Sequence, residues 1–279
     1  MSGVILNVIK ADGTEEQFDR EKLFSSLSRA GADSQTTDTI VRHIENELVN
    51  GMATEDIYRH AFAILEKTQK PMASRYSLKR AVAALGPSGF PFEKFLAELF
   101  KRSGFRDVKT GVILKGKCVE HEVDLVAKKG DKIIMAEAKF HKEHRFKTDL
   151  KVALYVKARF TDLGEASETD SFKPTDGWLV TNTKFTSQAI QYGECSGLTL
   201  IGWSYPQRGN LREMIEEAKL HPITALTSIT EHEKTALLNS GMVLCSSLVE
   251  KSGELGQLGI KKDRIDEIVK ESRELCHSS

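Results

Sequence analysis

Asp124, Glu137 and Lys139 are the residues of this sequence whose types and spacing offer chemistry. They lie in HEVDLVAKKGDKIIMAEAKFH, His121 to His141, which reads as two strands joined by a tight hairpin at Lys129-Gly130-Asp131. Side chains alternate across a strand, so Glu137 and Lys139 share a face. The hairpin folds Asp124 back beside Glu137. Two carboxylates brought this close repel each other unless a divalent ion joins them, and Mg²⁺ (or Mn²⁺) takes oxygen ligands of this kind. A metal held there binds a phosphate oxygen and polarises water, while Lys139 orients the water or offsets developing charge. The chemistry implied is hydrolysis of a phosphodiester. E-x-K triplets are also common as solvated charge on helices. Here the preceding run Ile133-Ile134-Met135-Ala136 favours a buried strand, and charge at the end of such a run is costly unless it has a task.

The elements around these residues must form one α/β sheet. An amphipathic helix is expected over Pro91 to Ser103, with Phe92, Phe95, Leu96, Leu99 and Phe100 inward. Strands follow at Val108 to Leu114, Val119 to Ala127 and Lys132 to Phe140. Then come a helix from Lys147 to Phe160, a strand at Gly177 to Thr181, a helix at Thr186 to Tyr192 and a strand at Leu198 to Trp203. Gly86-Pro87-Ser88-Gly89 and His221-Pro222 mark boundaries, giving units 1–87, 88–221 and 222–279.

FEKFLAELFKRSGF (92 to 105), EVDLVA (122 to 127), MAEAKFH (135 to 141) and GWLVTNTKFTSQAI (177 to 190) resemble the Mrr-like restriction endonucleases of the PD-(D/E)xK superfamily. The resemblance implies a metal-dependent deoxyribonuclease with Asp124, Glu137 and Lys139 catalytic. It also implies that Glu93, on the preceding helix, is the third carboxylate, with Glu98 a weaker candidate. Lys142, Arg145, Lys147, Lys151, Lys157 and Arg159 outnumber the acids after the active site and would track a DNA backbone. His141 and His144 form an HxxH with no further ligands at zinc spacing, and read as a polar, DNA-facing pair. GVILKGKC, 111 to 118, nearly spells a phosphate-binding loop but ends in Cys, and its apolar interior belongs in a strand.

The first unit opens with a β-rich run into Asp12-Gly13, a hairpin signal, and returns through Glu16 to Phe18. Helices are expected from Arg20 to Arg29, capped by Asp19 and stopped by Gly31, and from Thr37 to Val49. A third starts at Thr54 through a capping-box-like Thr-Glu-Asp-Ile, and a fourth covers Pro71 to Leu85. VIKADG, FDREKL, SRAG and the later Ala73-x-x-Tyr76-x-x-x-Arg80 resemble the ATP-cone domain, a nucleotide-sensing module. That resemblance implies ATP or dATP as a regulatory ligand, held by the hairpin backbone from Val8 to Gly13 and by Lys10, Lys22 and Arg80. The family's usual Lys-Arg is Lys10-Ala11 here, so one cation is missing.

The tail is expected to be helical, broken at Ser240-Gly241 and Leu258-Gly259, and resembles tandem helix–hairpin–helix units. In that family backbone N–H groups at a glycine turn hold a phosphate without reading sequence. Gly241 and Gly259 would be those turns, with Lys261, Lys262 and Arg264 adding charge.

Lys+Arg and Asp+Glu number 40 each, which argues against a coat of positive charge but leaves room for a local basic stripe. The four cysteines, Cys118, Cys195, Cys245 and Cys276, form no CxxC, so a reducing cytoplasm is expected. No signal peptide and no apolar run near the roughly 20 residues of a membrane span is seen. The sequence therefore describes a multidomain α/β protein: a helical cone with a β-hairpin, a central nuclease sheet, and an all-α tail. Its expected partners are DNA, duplex or branched, and an adenine nucleotide; no membrane is expected. One cutting core per chain suggests a homodimer for double-strand cleavage. Two other readings share these motifs. One is a nucleotide-responsive DNA-binding regulator whose nuclease fold no longer cuts; the other is a junction-resolving nuclease.

Overall fold

Residues 6–86, 89–166 and 173–277 are described by a computed structural model of the chain. The first unit begins with β1 (Asn7–Ile9) and β2 (Glu15–Gln17), antiparallel with Val8 opposite Glu16. Their turn closes as the Gly13 N–H donates to Lys10 O at 2.9 Å, with Gly13 at φ +80°, where an L side chain would be strained. Helix α1 (Arg20–Arg29) starts on the Asp19 cap, as the sequence indicates. Helix α2 (Ser34–Glu47) starts three residues before Thr37, because Asp33 accepts from Thr36 N.

A two-residue strand, β3 (Met52–Ala53), pairs parallel with β1. Extended chain therefore runs up to Ala53, and helix α3 (Thr54–Thr68) begins with Thr54 inside it and no side-chain cap, not with a capping box. The expected fourth helix is two, α4 (Lys70–Tyr76) and α5 (Leu78–Ala83). They part at Ser77, whose hydroxyl donates to Ser74 O.

In the second unit helix α6 (Phe90–Arg102) precedes β4 (Arg106–Lys115), β5 (Glu120–Lys129) and β6 (Lys132–Lys139). A short β7 (Lys147–Thr148) leads into α7 (Leu150–Gly164), capped by Asp149. Then follow β8 (Asp176–Thr181), β9 (Lys184–Phe185), α8 (Ser187–Ser196), β10 (Thr199–Ile201) and α9 (Leu211–Glu217). The main sheet has the order β10-β8-β6-β5-β4; β5 runs antiparallel to both its neighbours, β4 and β6, while β6, β8 and β10 run parallel. The alternation of side chains sorts the sheet between two layers. Leu125, Ala127, Ile134 and Ala136 pack with the aromatic face of α6, whereas Val126, Met135 and Leu179 pack with α7 and α8. Glu137 lies two residues beyond Met135, which directs it to the α7 side.

The tail holds α10 (Glu231–Asn239), α11 (Cys245–Glu250), a 3₁₀ segment (Ser252–Leu258) and α12 (Lys262–His277). Thr230 and Glu233 form a full capping box at α10. The three units share a core. Leu78, Val82 and Leu85 of the first, Phe92 and Phe95 of α6, and Leu237, Leu248 and Leu275 of the tail belong to one buried cluster. The Thr224 hydroxyl also donates to Ala81 O at 2.5 Å. Burying one continuous apolar surface makes the relative placement of the units part of the fold.

Candidate active site

The hairpin between β5 and β6 turns through Gly130 and Asp131, with Lys129 opposite Lys132. Pairing runs up to Leu125 opposite Ala136 and stops there. Beyond that point β5 continues beside β4, β6 continues beside β8, and the two strands part. The Ala138 N–H, which an unbroken ladder would have satisfied from the backbone, donates instead to Asp124 Oδ2 at 2.7 Å. Asp124, Glu137 and Lys139 thus come together at the fork, as the spacing implies.

Glu93 of α6 is near enough to Asp124 and Glu122 to feel their charge. Burial, then the charge of Asp124, then that of Glu122, push its carboxyl above the ordinary range. Burial raises Asp124 too, against the Ala138 hydrogen bond and the nearby Arg159. Glu137 is pushed up to about 7, first by burial and then by Asp124, although Arg159 opposes both. Three carboxyls that each resist ionisation mark a place short of positive charge. Glu98 is elsewhere: it is paired with Lys101 at 2.6 Å on the outer side of α6.

Two site residues escaped the sequence reading. Glu122 sits two positions before Asp124 on β5, on the same face, and the period-two spacing was the available signal. Arg159 is buried on α7; its guanidinium pairs with Glu137 and donates to Glu122 O. It is therefore part of the site's interior and not of a DNA-facing stripe, because the third turn of α7 carries it under the sheet. No periodicity distinguishes it from the exposed Lys151 of the same helix.

All donors at the fork are oxygens, suited to a hard cation. Among the described residues no group of three carboxylate, imidazole or thiol side chains forms a ready-made cage. Mg²⁺ is commonly held by one or two carboxylates and completes its shell with water and substrate phosphate. Asp124 and Glu137 would hold it, with Glu93 at the rim.

The HxxH pair is divided. His141 lies within 3.1 Å of the Thr148 hydroxyl and stacks on Phe146, whereas His144 turns into a cleft against the first unit. It is not a DNA-facing pair. Lys142 is exposed; Arg145 pairs with Glu143 at 2.6 Å, and Lys147 reaches Asp12 of the cone hairpin at 3.7 Å. The stretch 111–118 is the end of β4 and its turn. Gly116 N donates to Val119 O, and Asp162 of α7 accepts from Cys118 N, His121 lying 2.8 Å away, so no phosphate loop exists there.

In the cone, Val8 is buried in β1, and Lys10 and Lys22 converge on Glu16 at 2.5 and 3.4 Å. Arg80 stands apart. It pairs with Glu55, lies 3.5 Å over the Tyr58 ring, and lines a cleft of about 500 Å³ with Ala11, Thr54 and Tyr76.

In the tail, Gly259 adopts φ +80° with open space around it, and Lys261 and Lys262 are exposed. Gly241 differs: a Cβ there would stand 2.5 Å from Lys94 Nζ of α6, so that turn is covered by the nuclease unit. Arg264 does not add free charge. It pairs with Glu233 at 2.9 Å and with Glu267, and donates to Ser228 O.

Residues 6–83 match the ATP cone domain family, residues 86–205 a restriction endonuclease family of Mrr catalytic domains, and residues 221–276 the family described as AF1548-like, C-terminal. An uncharacterized protein of Archaeoglobus fulgidus is 36% identical over 181 residues, which cover 64% of this chain and 99% of that protein. The crystal structure of the protein of unknown function AF1548 matches at 34% identity and a TM-score of 0.57, over 69% of this chain and all of that one (100%). The MspJI restriction endonuclease, solved in complex with a 27-mer oligonucleotide, matches at 16% identity and a TM-score of 0.36, over 71% of this chain and 39% of that one.

Proposed function

Because the chain belongs to the AF1548-like family and carries a restriction endonuclease domain between an ATP cone and the C-terminal unit, we propose that it is a metal-dependent DNA endonuclease whose activity answers to ATP or dATP at the cone. The observation that supports this most is the fork between β5 and β6. It sets Asp124 and Glu137 side by side, half-buried and mutually repelling, with Lys139 on the same face. A bound Mg²⁺ or Mn²⁺ would supply Lewis acidity toward a scissile phosphate and its attacking water. Asp124 is held in place by Ala138 N–H, and Glu137 by Arg159. Lys139, exposed at the strand end, faces the substrate side and stabilises charge developing on the phosphate.

DNA would run past Lys142 and Arg145 and reach Gly259, Lys261 and Lys262 at the start of α12, a backbone grip without sequence reading. Lys10, Lys22 and Arg80 serve the nucleotide in this scheme. The three units at 1–87, 88–221 and 222–279 then correspond to sensing, cutting and gripping. No helix among the described residues is long and apolar enough to cross a membrane; action on DNA in the cytoplasm is part of the proposal. A homodimer would supply the second cut of a duplex.

One observation favours a second reading. Arg159 already neutralises Glu137, as it would in a nucleotide-responsive DNA-binding protein that has given up cutting. Both readings meet the same experiment: cleavage of plain, methylated and branched DNA in Mg²⁺, with and without ATP or dATP. The endonuclease reading expects cutting that EDTA stops. Binding without cutting on every substrate overturns it in favour of the second.

A further inference from the structure

The cleft that holds Arg80 is not the cone's alone. Six cationic side chains line it, Arg29, Arg75, Lys79, Arg80, Arg212 and Lys219, against two carboxylates, Glu55 and Glu216. Arg212 follows the nuclease sheet on α9, and Lys219 lies in the linker toward the tail. His221 and His144, also in the lining, come from that linker and from the loop that leaves the catalytic strand. The Nδ1 atoms of both histidines are buried without a hydrogen-bond partner, and so is the Nε of Arg212, which lies 3.7 Å from Glu216 Oε1.

Polar atoms withdrawn from water are normally satisfied, and orphans facing a cavity indicate a missing partner. The charge says which kind. Arg29 is held close to Arg212, and His144 faces Lys79 and Arg80 with only Glu55 opposed. Like charges gathered in a cleft of about 500 Å³ are stabilised by an anion of several charges. An aromatic wall adjoins them. Tyr58 and Tyr76 stack at 5.1 Å with rings 6° apart, and the Arg80 guanidinium caps Tyr58. Stacked rings with a guanidinium accept a purine face, and the cations accept its phosphates.

We propose that this cleft is one site for a nucleoside triphosphate, completed from outside the cone by Arg212, Lys219, His221 and His144, so that the ligand is held fully only with the cone seated on the nuclease. This rests on the reading of the cone as a nucleotide sensor and adds what finishes its site. The seating itself is visible: Ala11 of the hairpin lines the cleft, and its neighbour Asp12 pairs with Lys147, three residues past His144. The nucleotide therefore touches the same loop that begins at Lys139.

The test is calorimetric titration of ATP into the full chain and into Lys219→Gln and Arg212→Gln. Lys219 is exposed, so its variant keeps the fold even if the α9 change at Arg212 does not. Each variant is expected to weaken ATP binding about tenfold or more, the scale of one lost charge-assisted contact. Inorganic triphosphate should compete with ATP on the wild type. Wild-type ATP affinity in the Lys219 variant and in every folded Arg212 variant would overturn the composite site while leaving the cone's own nucleotide reading standing. No ATP binding by the wild type would overturn both.

Discussion

The fork at β5 and β6 and the cleft beneath the cone are opposites in charge and alike in logic. The fork gathers Glu93, Asp124 and Glu137, and each carboxyl resists ionisation. The cleft gathers six cations around two buried imidazoles that resist protonation. Either arrangement leaves an excess of one sign, because Arg159 offsets only part of the fork's charge and Glu55 and Glu216 only part of the cleft's, and such an excess is costly away from water. A divalent cation would answer the first and a polyanion the second. The fork is built within a single unit, the cleft from three. Under the proposed function, the reactive machinery would stay constant while its control depended on how the units dock.

The comparison breaks most visibly at the fork. Glu137→Gln is expected to lower the cleavage rate by at least roughly a thousandfold with the fold retained, since the isosteric amide removes the negative charge while its carbonyl oxygen can still accept from Arg159. Rates near wild type in Mg²⁺ would remove Glu137 from the chemistry. Lys139→Ala should slow the chemical step by about a hundredfold and leave metal affinity unchanged, as single-turnover rates and calorimetry would reveal. Loss of DNA binding without a slower chemical step would make it a phosphate clamp.

Arg159→Met sharpens the same region by asking what holds Glu137. It leaves a partly buried carboxylate without its partner, so the metal-free protein should lose about 3 kcal/mol by denaturant titration. An unchanged midpoint would show that the pair contributes nothing. In the tail, Arg264→Ala should lower the melting temperature without altering DNA affinity, because its partners are Glu233, Glu267 and Ser228 O. Lys262→Ala should do the reverse and reduce the salt slope of DNA binding by about 1. Equal salt slopes for the two variants would contradict that division.

The smallest effect belongs to the cleft. His144 is held down to about 4 by burial and by Lys79 and Arg80, against Glu55; His221 is held down to about 4 by burial and Arg75. In the unfolded chain both protonate near the ordinary imidazole value, about 6.5. Stability is therefore fully present above that value and declines as pH falls from it toward 4. The double variant His144→Gln, His221→Gln should flatten this decline. A bound polyphosphate should raise both imidazoles, so proton uptake on ATP binding near pH 5.5 is the companion measurement.

The two regions were not equally legible. Asp124, Glu137 and Lys139 could be placed from sequence because a hairpin brings near neighbours together and strand alternation assigns their face. Arg159 could not, since its role depends on how α7 lies under the sheet. Arg264 shows the same limit: its charge was readable, its partner Glu233 was not. Met52 and Ala53 form too short a parallel strand to leave a periodic signature, and the break at Ser77 interrupts a pattern that is helical on both sides. The cone motifs predicted Lys10, Lys22 and Arg80 as one nucleotide set. In the structure Arg80 lines the cleft together with Ala11, the neighbour of Lys10, and His144, Arg212 and Lys219 join it from outside the motif. Contacts made by one unit with another leave no spacing to read.

The central claim is that the fork cuts DNA with a bound metal, and a cleavage time course on one duplex addresses it most directly. Wild type and Asp124→Ala are compared in Mg²⁺ and in EDTA. The account predicts cutting by the wild type in Mg²⁺ alone, with Asp124→Ala folded and inactive in both. Equal cutting by the two proteins, or cutting by the wild type that survives EDTA, would contradict it.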